Sequence, residues 1–416
     1  PRVRASCPNM DAPQSMALLA QDHDDLRAEI AARRPEMVTL RRHFHEHPET
    51  AFDERETARE IAERLRESGL EVTEGVGKTG VVGLLRGGAG AGKTLLVRAD
   101  IDALPVTEAN DTPYRSRTPG KMHACGHDGH ITIALTLADL LARRHDQLAG
   151  NVKFAFQPAE ELAAGAQPML DDGVMRDPDV DGVIGLHIWS QTPVGDVVVQ
   201  AGPFFASADH IVLRVRGRGG HGAMPHLNVD PLVAAAQIVV ALQTLISREI
   251  SPFHPAVLTF GSIHGGTASN VTADEVELQG TVRAYDDTDR EHLMRRIGEV
   301  ARSVAEGLRA STELTTPNGT PACMNDPAMT ELIRRAAVAT VGETRIPTGD
   351  QRQSVSDDMA LFLRAVPGCY FLVGAGNAAR GITAPHHSAH FDIDEDSLPI
   401  GVEVMARATL DYLAPR

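Results

Sequence analysis

Cys125 and His127 stand two positions apart in the run Met122-His-Ala-Cys-Gly-His-Asp-Gly-His130. In an extended loop, side chains at that spacing project to the same side. A thiolate beside an imidazole suits a borderline ion such as zinc, manganese, nickel or cobalt better than magnesium or calcium. Four further segments carry groups of the same kind: Asp100 with Asp102, the adjacent Glu160 and Glu161, His187, and the pair His386 and His387. Two neighbouring glutamates do not serve one ion in the same way. One can ligate while the other faces a water, which supplies a Lewis acid and a general base for hydrolysis. Taken singly these groups are ordinary, since an Asp-x-Asp is usually a loop and a Glu pair a solvated helix start. Their joint placement is what signals a site.

That placement depends on the elements around them. Apolar runs at 95–97, 152–156, 183–186 and 369–373 read as strands, the last three covered on both faces, with a helix between the second and third. With a buried apolar helix at 131–141 the pattern is α/β, and ligands of such folds gather beyond the carboxyl ends of the strands. Asp100 and Asp102 follow the first run, Glu160 and Glu161 the second, His187 the third. A run at 81–85 pairs with 95–97 as a hairpin or a pair of strands, across a Gly-rich turn. Residues 25–69 read as helical, stopped by Gly69.

From 204 to 317 the rhythm changes to strand, helix, strand, strand, helix, strand, a ferredoxin-like (α+β) unit. Its first helix opens with Asp230 as N-cap and Pro231 behind it. The expected organisation is a catalytic α/β domain over 25–203 and 318–416, interrupted by an inserted lid over 204–317. Residues 1–24 read as a disordered lead-in.

Two motif matches fail on context. Residues 87–94, GGAGAGKT, match a phosphate loop, but a strand run follows where a helix N-terminus is needed, so a hairpin turn is the better reading. His43-Phe-His-Glu-His47 matches a zinc-protease pattern, but Pro48 disfavours the helix that must hold both histidines on one face.

Bulk properties narrow the function. A chain of 416 residues is long for one core. A formal charge of −16 argues against nucleic acid and against an anionic membrane as partners. No apolar run approaches the roughly 18 residues of a membrane span, and the polar start lacks a signal peptide. Cys7, Cys125, Cys323 and Cys369 are scattered without a disulfide framework. The expected location is the cytoplasm.

As an ordered series, six motifs resemble those of the aminoacylase/carboxypeptidase-type two-metal amidohydrolases. They are Arg98-Ala-Asp-Ile-Asp-Ala-Leu-Pro105, the Met122–His130 run, Pro158-Ala-Glu-Glu161, Gly185-Leu-His187, Gly217-Arg-Gly-Gly-His-Gly-Ala-Met-Pro-His226 and Pro385-His-His-Ser388. The branch most similar is that of hippurate hydrolase and the indole-acetyl-amino-acid hydrolases. The resemblance covers the chain from about residue 36 to its end.

It implies hydrolysis of the amide bond of small N-acyl amino acids, with a dipeptidase, a deacetylase of a biosynthetic N-acyl intermediate or a non-catalytic ligand-binding relative as alternatives. It implies two divalent ions per chain. By motif position Cys125 bridges the ions and His127, Glu161, His187 and His387 complete their shells, with His386 the alternative to His387. Glu160 falls at the catalytic base and Asp102 at the carboxylate that orients a ligand. His221 is placed on the substrate, in related dimers across the subunit interface, so a homodimer or higher homo-oligomer is expected. Asn270 and Arg283 match lid positions that hold the substrate carbonyl or carboxylate. Asp100 departs from other branches, which use a histidine ligand there. Ser356-Asp-Asp358 has aspartate where glutamate is usual, and His387-Ser-Ala-His390 lacks a proline that often follows the ligand.

Overall fold

The computed structural model describes residues 25–317 and 319–415. The expected lead-in at 1–24 lies outside the described residues. A seven-stranded sheet is built from β1 (Glu71–Val76), β2 (Gly80–Arg86), β3 (Lys93–Asp100), β4 (Gly150–Gln157), β5 (Gly182–Pro193), β6 (Val197–Val198) and β16 (Gly368–Gly376). The order is β1-β2-β4-β3-β5-β16-β6. The central four, β4, β3, β5 and β16, are parallel.

Alternation along these strands feeds two cores. Leu95, Val97, Phe154, Ile184 and Phe371 join one cluster with α1 (Arg34–Glu46), α2 (Arg55–Glu67), α3 (His127–Ala142), α7 (Pro327–Val341) and α9 (Ser397–Tyr412). Leu96, Ala155, Val183 and Tyr370 point the other way, onto α4 (Ala166–Asp171) and α8 (Met359–Ala365). Apart from Asp139 and Ala142, every residue of α3 is buried, as expected of a helix that is apolar on all sides.

Two expectations are corrected here. β2 and β3 are not neighbours, because β4 inserts between them. Residues 87–92 are therefore a crossover rather than a hairpin turn, and they run across the start of β4. Gly87 donates its N–H to the Gly150 carbonyl at 2.8 Å, and a Cβ at Gly87 would lie 2.1 Å from the Leu148 carbonyl oxygen. Glycine is there for close backbone approach. The helical reading of 25–69 also divides: α1 ends at Glu46 before Pro48, Thr50 bridges to Ala103, and α2 begins at Arg55.

The second unit contains β8 (Ala208–Arg216), α5 (Pro231–Thr244), β10 (Ala256–Gly265), β12 (Glu275–Ala284), α6 (Asp287–Gly307) and β13 (Ser311–Thr315). Its antiparallel order β10-β12-β8-β13 is ferredoxin-like. Both helices start on an aspartate side chain that accepts a main-chain N–H, Asp230 for α5 and Asp286 for α6. β14 (Gly319–Thr320) also pairs β8, so the unit's sheet runs past the expected boundary at 317. A ribbon of β9 (Gly220–His221) and β11 (Val271–Thr272) extends from it. β7 (Gly202–Phe205) pairs β15 (Cys323–Asn325) where the chain leaves and re-enters the main domain.

Residues Pro231–Glu249 form a helix long and apolar enough to cross a membrane by length and composition. This corrects the expectation that no run reaches that length, since scattered Gln, Thr and Ser interrupt the run without lowering its mean hydropathy below 1.4. Ala234, Ala235, Ile238 and Leu242 pack on the lid sheet, while Val233 and Val240 on the outer face are exposed.

Candidate metal centre

Cys125 and His127 meet for a different reason from the one their spacing suggests. Gly126 between them has φ +91°, and α3 begins at His127, so the chain turns into a helix rather than running extended. Glycine adopts that backbone without strain. His127 donates its Nδ1–H to the Asp102 carbonyl at 2.8 Å. Its Nε2 is buried without a hydrogen-bond partner among the described residues. His187, which lies on β5 beyond the last β3–β5 pair, donates Nδ1–H to the Ile188 carbonyl at 2.7 Å. Its Nε2 stands 3.5 Å from the Cys125 Sγ. In both rings a main-chain carbonyl holds Nδ1 and turns Nε2 towards the centre, the arrangement that prepares an imidazole for a metal.

Glu160 and Glu161 occupy a single 3-10 turn after β4, flanked by Ala159 at φ 51° and Ala163 at φ 48°. Non-glycine residues seldom sit there, and such strain collects at functional sites. The Asp102 carboxylate holds the turn, accepting the N–H of Glu160 at 3.1 Å and of Glu161 at 3.0 Å. Glu161 leaves Oε1 buried and without a hydrogen-bond partner among the described residues, with Oε2 3.3 Å from His387 Nε2. His387 itself has φ 65°, and its N–H reaches the Ala124 carbonyl at 2.8 Å.

Two of the donor groups formed here share a residue, and others join Glu160 to His127 and Glu161 and to Asp357 and Asp358. Cys125, His127 and His187 place ligand atoms within 4.8 Å of one another, as do Cys125, Glu161 and His387. Cys125 is common to both. His386 is in neither, and its Nε2 accepts the Ser190 N–H at 3.2 Å. Of the histidine pair, then, only His387 has its Nε2 turned towards the acidic side of the centre.

Charge in the pocket runs strongly negative. Burial, with Asp357, Glu161 and Asp358 close by, holds the Glu160 carboxyl well above the usual range. Burial and the Glu161 and Glu160 carboxylates push the Cys125 thiol up as well. Against the penalty of burial, Asp100, Asp102 and Glu161 hold His127 up at about 10. The surroundings favour positive charge at this point, which is what divalent cations would supply. The orphaned His127 Nε2 and Glu161 Oε1, together with a shared thiol, fit a pair of borderline ions.

Sequence reasoning missed the groups that hold this framework. Arg98, fully buried, donates to Asp100 at 2.7 Å, to the Gln157 side chain at 2.8 Å, and to Asp357 and Asp358 at 3.1 Å each. Asp358 in turn accepts the N–H of Ala166 at the start of α4. Asp100 is thereby committed to Arg98 and to the Nδ1–H of His130, and His130 Nε2 accepts the Ile188 N–H at 2.8 Å. A charged residue inside an apolar strand run was the available signal for Arg98.

The centre opens into a cavity of about 480 Å³ lined by Cys125, Glu160, Glu161, Trp189, Arg283 and His387 among others. Arg283 enters from the lid at the end of β12. There Ser207 donates its N–H to the Ala284 carbonyl at 2.7 Å, and Ala284 returns its N–H to the Ser207 hydroxyl at 3.0 Å. Among the described residues the Arg283 side chain has no hydrogen bond or ion pair. His221 and Asn270 are brought together elsewhere: Val271 pairs His221, Gly222 donates to the Asn270 carbonyl, and both side chains are exposed. Neither lines the cavity of its own chain. The protease-like histidines are spent locally, His43 on Glu60 and His47 on the His43 carbonyl.

The profile of peptidase family M20/M25/M40 matches residues 96–411. N-acetyl-L-cysteine deacetylase of Bacillus subtilis is 37% identical over 87% of this chain and 85% of its own length. IAA-amino acid hydrolase ILR1-like 2 of Arabidopsis thaliana is 34% identical over 95% of this chain and 90% of its own. Among solved structures, a dinuclear metal binding peptidase of the M20 family from Bacillus subtilis superposes with a TM-score of 0.79. It is 32% identical and covers 92% of this chain and 99% of its own.

Proposed function

The chain belongs to peptidase family M20/M25/M40, and on that premise we propose that it hydrolyses the amide bond of N-acyl amino acids at a centre of two divalent ions. The observation that carries this reading is the sharing of Cys125 by two donor groups. Cys125, His127 and His187 would hold one ion, and Cys125, Glu161 and His387 the other, with zinc, manganese, nickel or cobalt suited to the donors. Bound there, the ions would supply Lewis acidity to a water and to the scissile carbonyl.

Glu160 has no hydrogen-bond partner for its side chain among the described residues, and burial raises its proton affinity. It is the group able to take a proton from the attacking water and pass it to the leaving amine nitrogen, which departs poorly as an anion. Asp102 keeps it in place through the main chain of the turn. Arg283, half-buried and unpaired, is the receptor for the free carboxylate of the amino-acid half. Trp189 and Phe205 line the same cavity and give the acyl group an apolar wall.

His221 completes the site only if a second copy supplies it. The lid offers a surface for that, with Val240 69% exposed on α5, Phe253 87% exposed, and β10 at the free edge of its sheet. Such a surface is in keeping with a homodimer formed through the lids. A panel of hippurate, N-acetyl amino acids and dipeptides tests the substrate class. Cleavage of acyl amino acids over dipeptides supports the reading, and the opposite preference would make this a dipeptidase.

A further inference from the structure

Two imidazoles flank the Cys125 sulfur with opposite chemistry. His187 has given its Nδ1–H to a carbonyl, so its Nε2 lone pair faces Sγ at 3.5 Å. His386 has accepted the Ser190 N–H on Nε2 at 3.2 Å, so the ring's own proton must sit on Nδ1. That nitrogen faces Sγ at 3.7 Å. The ring has little freedom to turn away. It lies 4.5 Å from the Trp189 ring and 5.0 Å from that of Phe391, centroid to centroid. Ser190 also ties its hydroxyl to the Ala384 carbonyl at 2.9 Å, fixing the segment that carries Pro385 and His386 against β5.

We propose that His386 is a positioning residue that donates an Nδ1–H···S hydrogen bond to the thiolate shared by the two ions, and so tempers the charge that sulfur gives them. The proposal rests on the metal-centre reading above. A thiolate sulfur has three lone pairs, of which two ions would use two, and the His386 N–H meets the third. A hydrogen bond there withdraws density from sulfur and leaves both ions stronger Lewis acids. Because Nε2 is engaged, the ring is a neutral donor, and it acts without adding a cation to the site. The same engagement keeps His386 from becoming a ligand itself, although it is adjacent to His387.

The test uses the full chain loaded with cobalt(II), whose near-ultraviolet thiolate-to-metal charge-transfer band reports the electron richness of the sulfur. His386→Phe keeps an aromatic ring between Trp189 and Phe391 but removes the N–H. His386→Asn returns an N–H close to the Nδ1 position. The expected result is two cobalt ions in all three proteins, a band moved to longer wavelength in His386→Phe, and a band at the wild-type position in His386→Asn. An unmoved band in His386→Phe with both ions bound overturns the proposal. So does loss of an ion from His386→Phe, which would make His386 a ligand. Should that variant not fold, long-range proton–nitrogen NMR of the wild-type imidazoles decides the matter, with the proton on Nδ1 of His386 expected and a proton on Nε2 contradicting. Failure of wild type to take up cobalt would sink the metal reading and this proposal together. An unmoved band in a two-cobalt enzyme that cleaves amides would sink the proposal alone.

Discussion

His127 donates its Nδ1–H to the main-chain carbonyl of Asp102 at 2.8 Å, while the carboxylate of the same Asp102 accepts the N–H groups of Glu160 and Glu161. A single residue thus sets the tautomer of one imidazole and secures the strained turn that carries both glutamates. Asp102→Ala keeps the carbonyl but strands two N–H donors, each costing about 1–3 kcal/mol when left unsatisfied. The expected outcome is a lower Tm and a fall of roughly 10–100-fold in metal affinity or kcat. Asp102→Asn, with one acceptor oxygen, should fall between. Wild-type Tm and kcat in Asp102→Ala would remove this role.

Glu160 and Glu161 are neighbours to which the proposed reaction gives different work. Glu160→Gln should retain two ions and lose about 10²–10⁴ in kcat, the usual range for a missing general base. Glu161→Gln should instead lose an ion, seen by elemental analysis. The reverse pattern would exchange the two assignments.

The carboxyl of Glu161 also makes stability depend on pH. Burial, opposed by His127 and helped by the Asp102 charge, pushes it up to about 7 in the metal-free protein. Unfolded, a glutamate titrates near 4.3. Between those values the folded chain binds more protons than the unfolded one, so its stability falls as pH rises. The Tm of metal-free protein should therefore drop from about pH 4.5 to about pH 7. Glu161→Gln should show a shallower slope, and added divalent ion should offset the loss. Identical slopes for wild type and Glu161→Gln would contradict this.

Much of the site was readable from residue types, because a thiolate, imidazoles and paired carboxylates after strands leave few other uses. What was not readable depended on which elements become neighbours. Residues 87–92 have the composition of a hairpin turn, and only the insertion of β4 between β2 and β3 makes them a crossover. His386 and His387 are the same residue type, and the Ser190 N–H that gives them different surroundings comes from β5. Arg98 could be suspected of a buried ion pair, but Asp357 and Asp358 come from the far end of the chain. In the lid, by contrast, alternation and N-caps are local signals, and the ferredoxin-like order followed from them.

His221 offers a test that separates one chain's contribution from another's. If a second copy supplies it, His221→Ala and Glu160→Gln are each nearly inactive alone. Co-expressed, they should recover roughly a quarter of wild-type activity, because half the dimers are mixed and one of their two sites is whole. Val240→Glu on the outer face of α5 should shift the protein to monomer in light scattering and cost activity. No recovery in the mixture would confine His221 to its own chain or to no role.

The central claim is that Cys125 is shared by two ions that the hydrolysis needs. Elemental analysis of purified protein, paired with hippurate and N-acetyl amino acid hydrolysis before and after chelation, tests it most directly. The account predicts close to two divalent ions per chain, loss of amide cleavage with the chelator, and recovery on adding back zinc, manganese, cobalt or nickel. A chain that binds none of these ions, or that cleaves amides equally well without them, would contradict it.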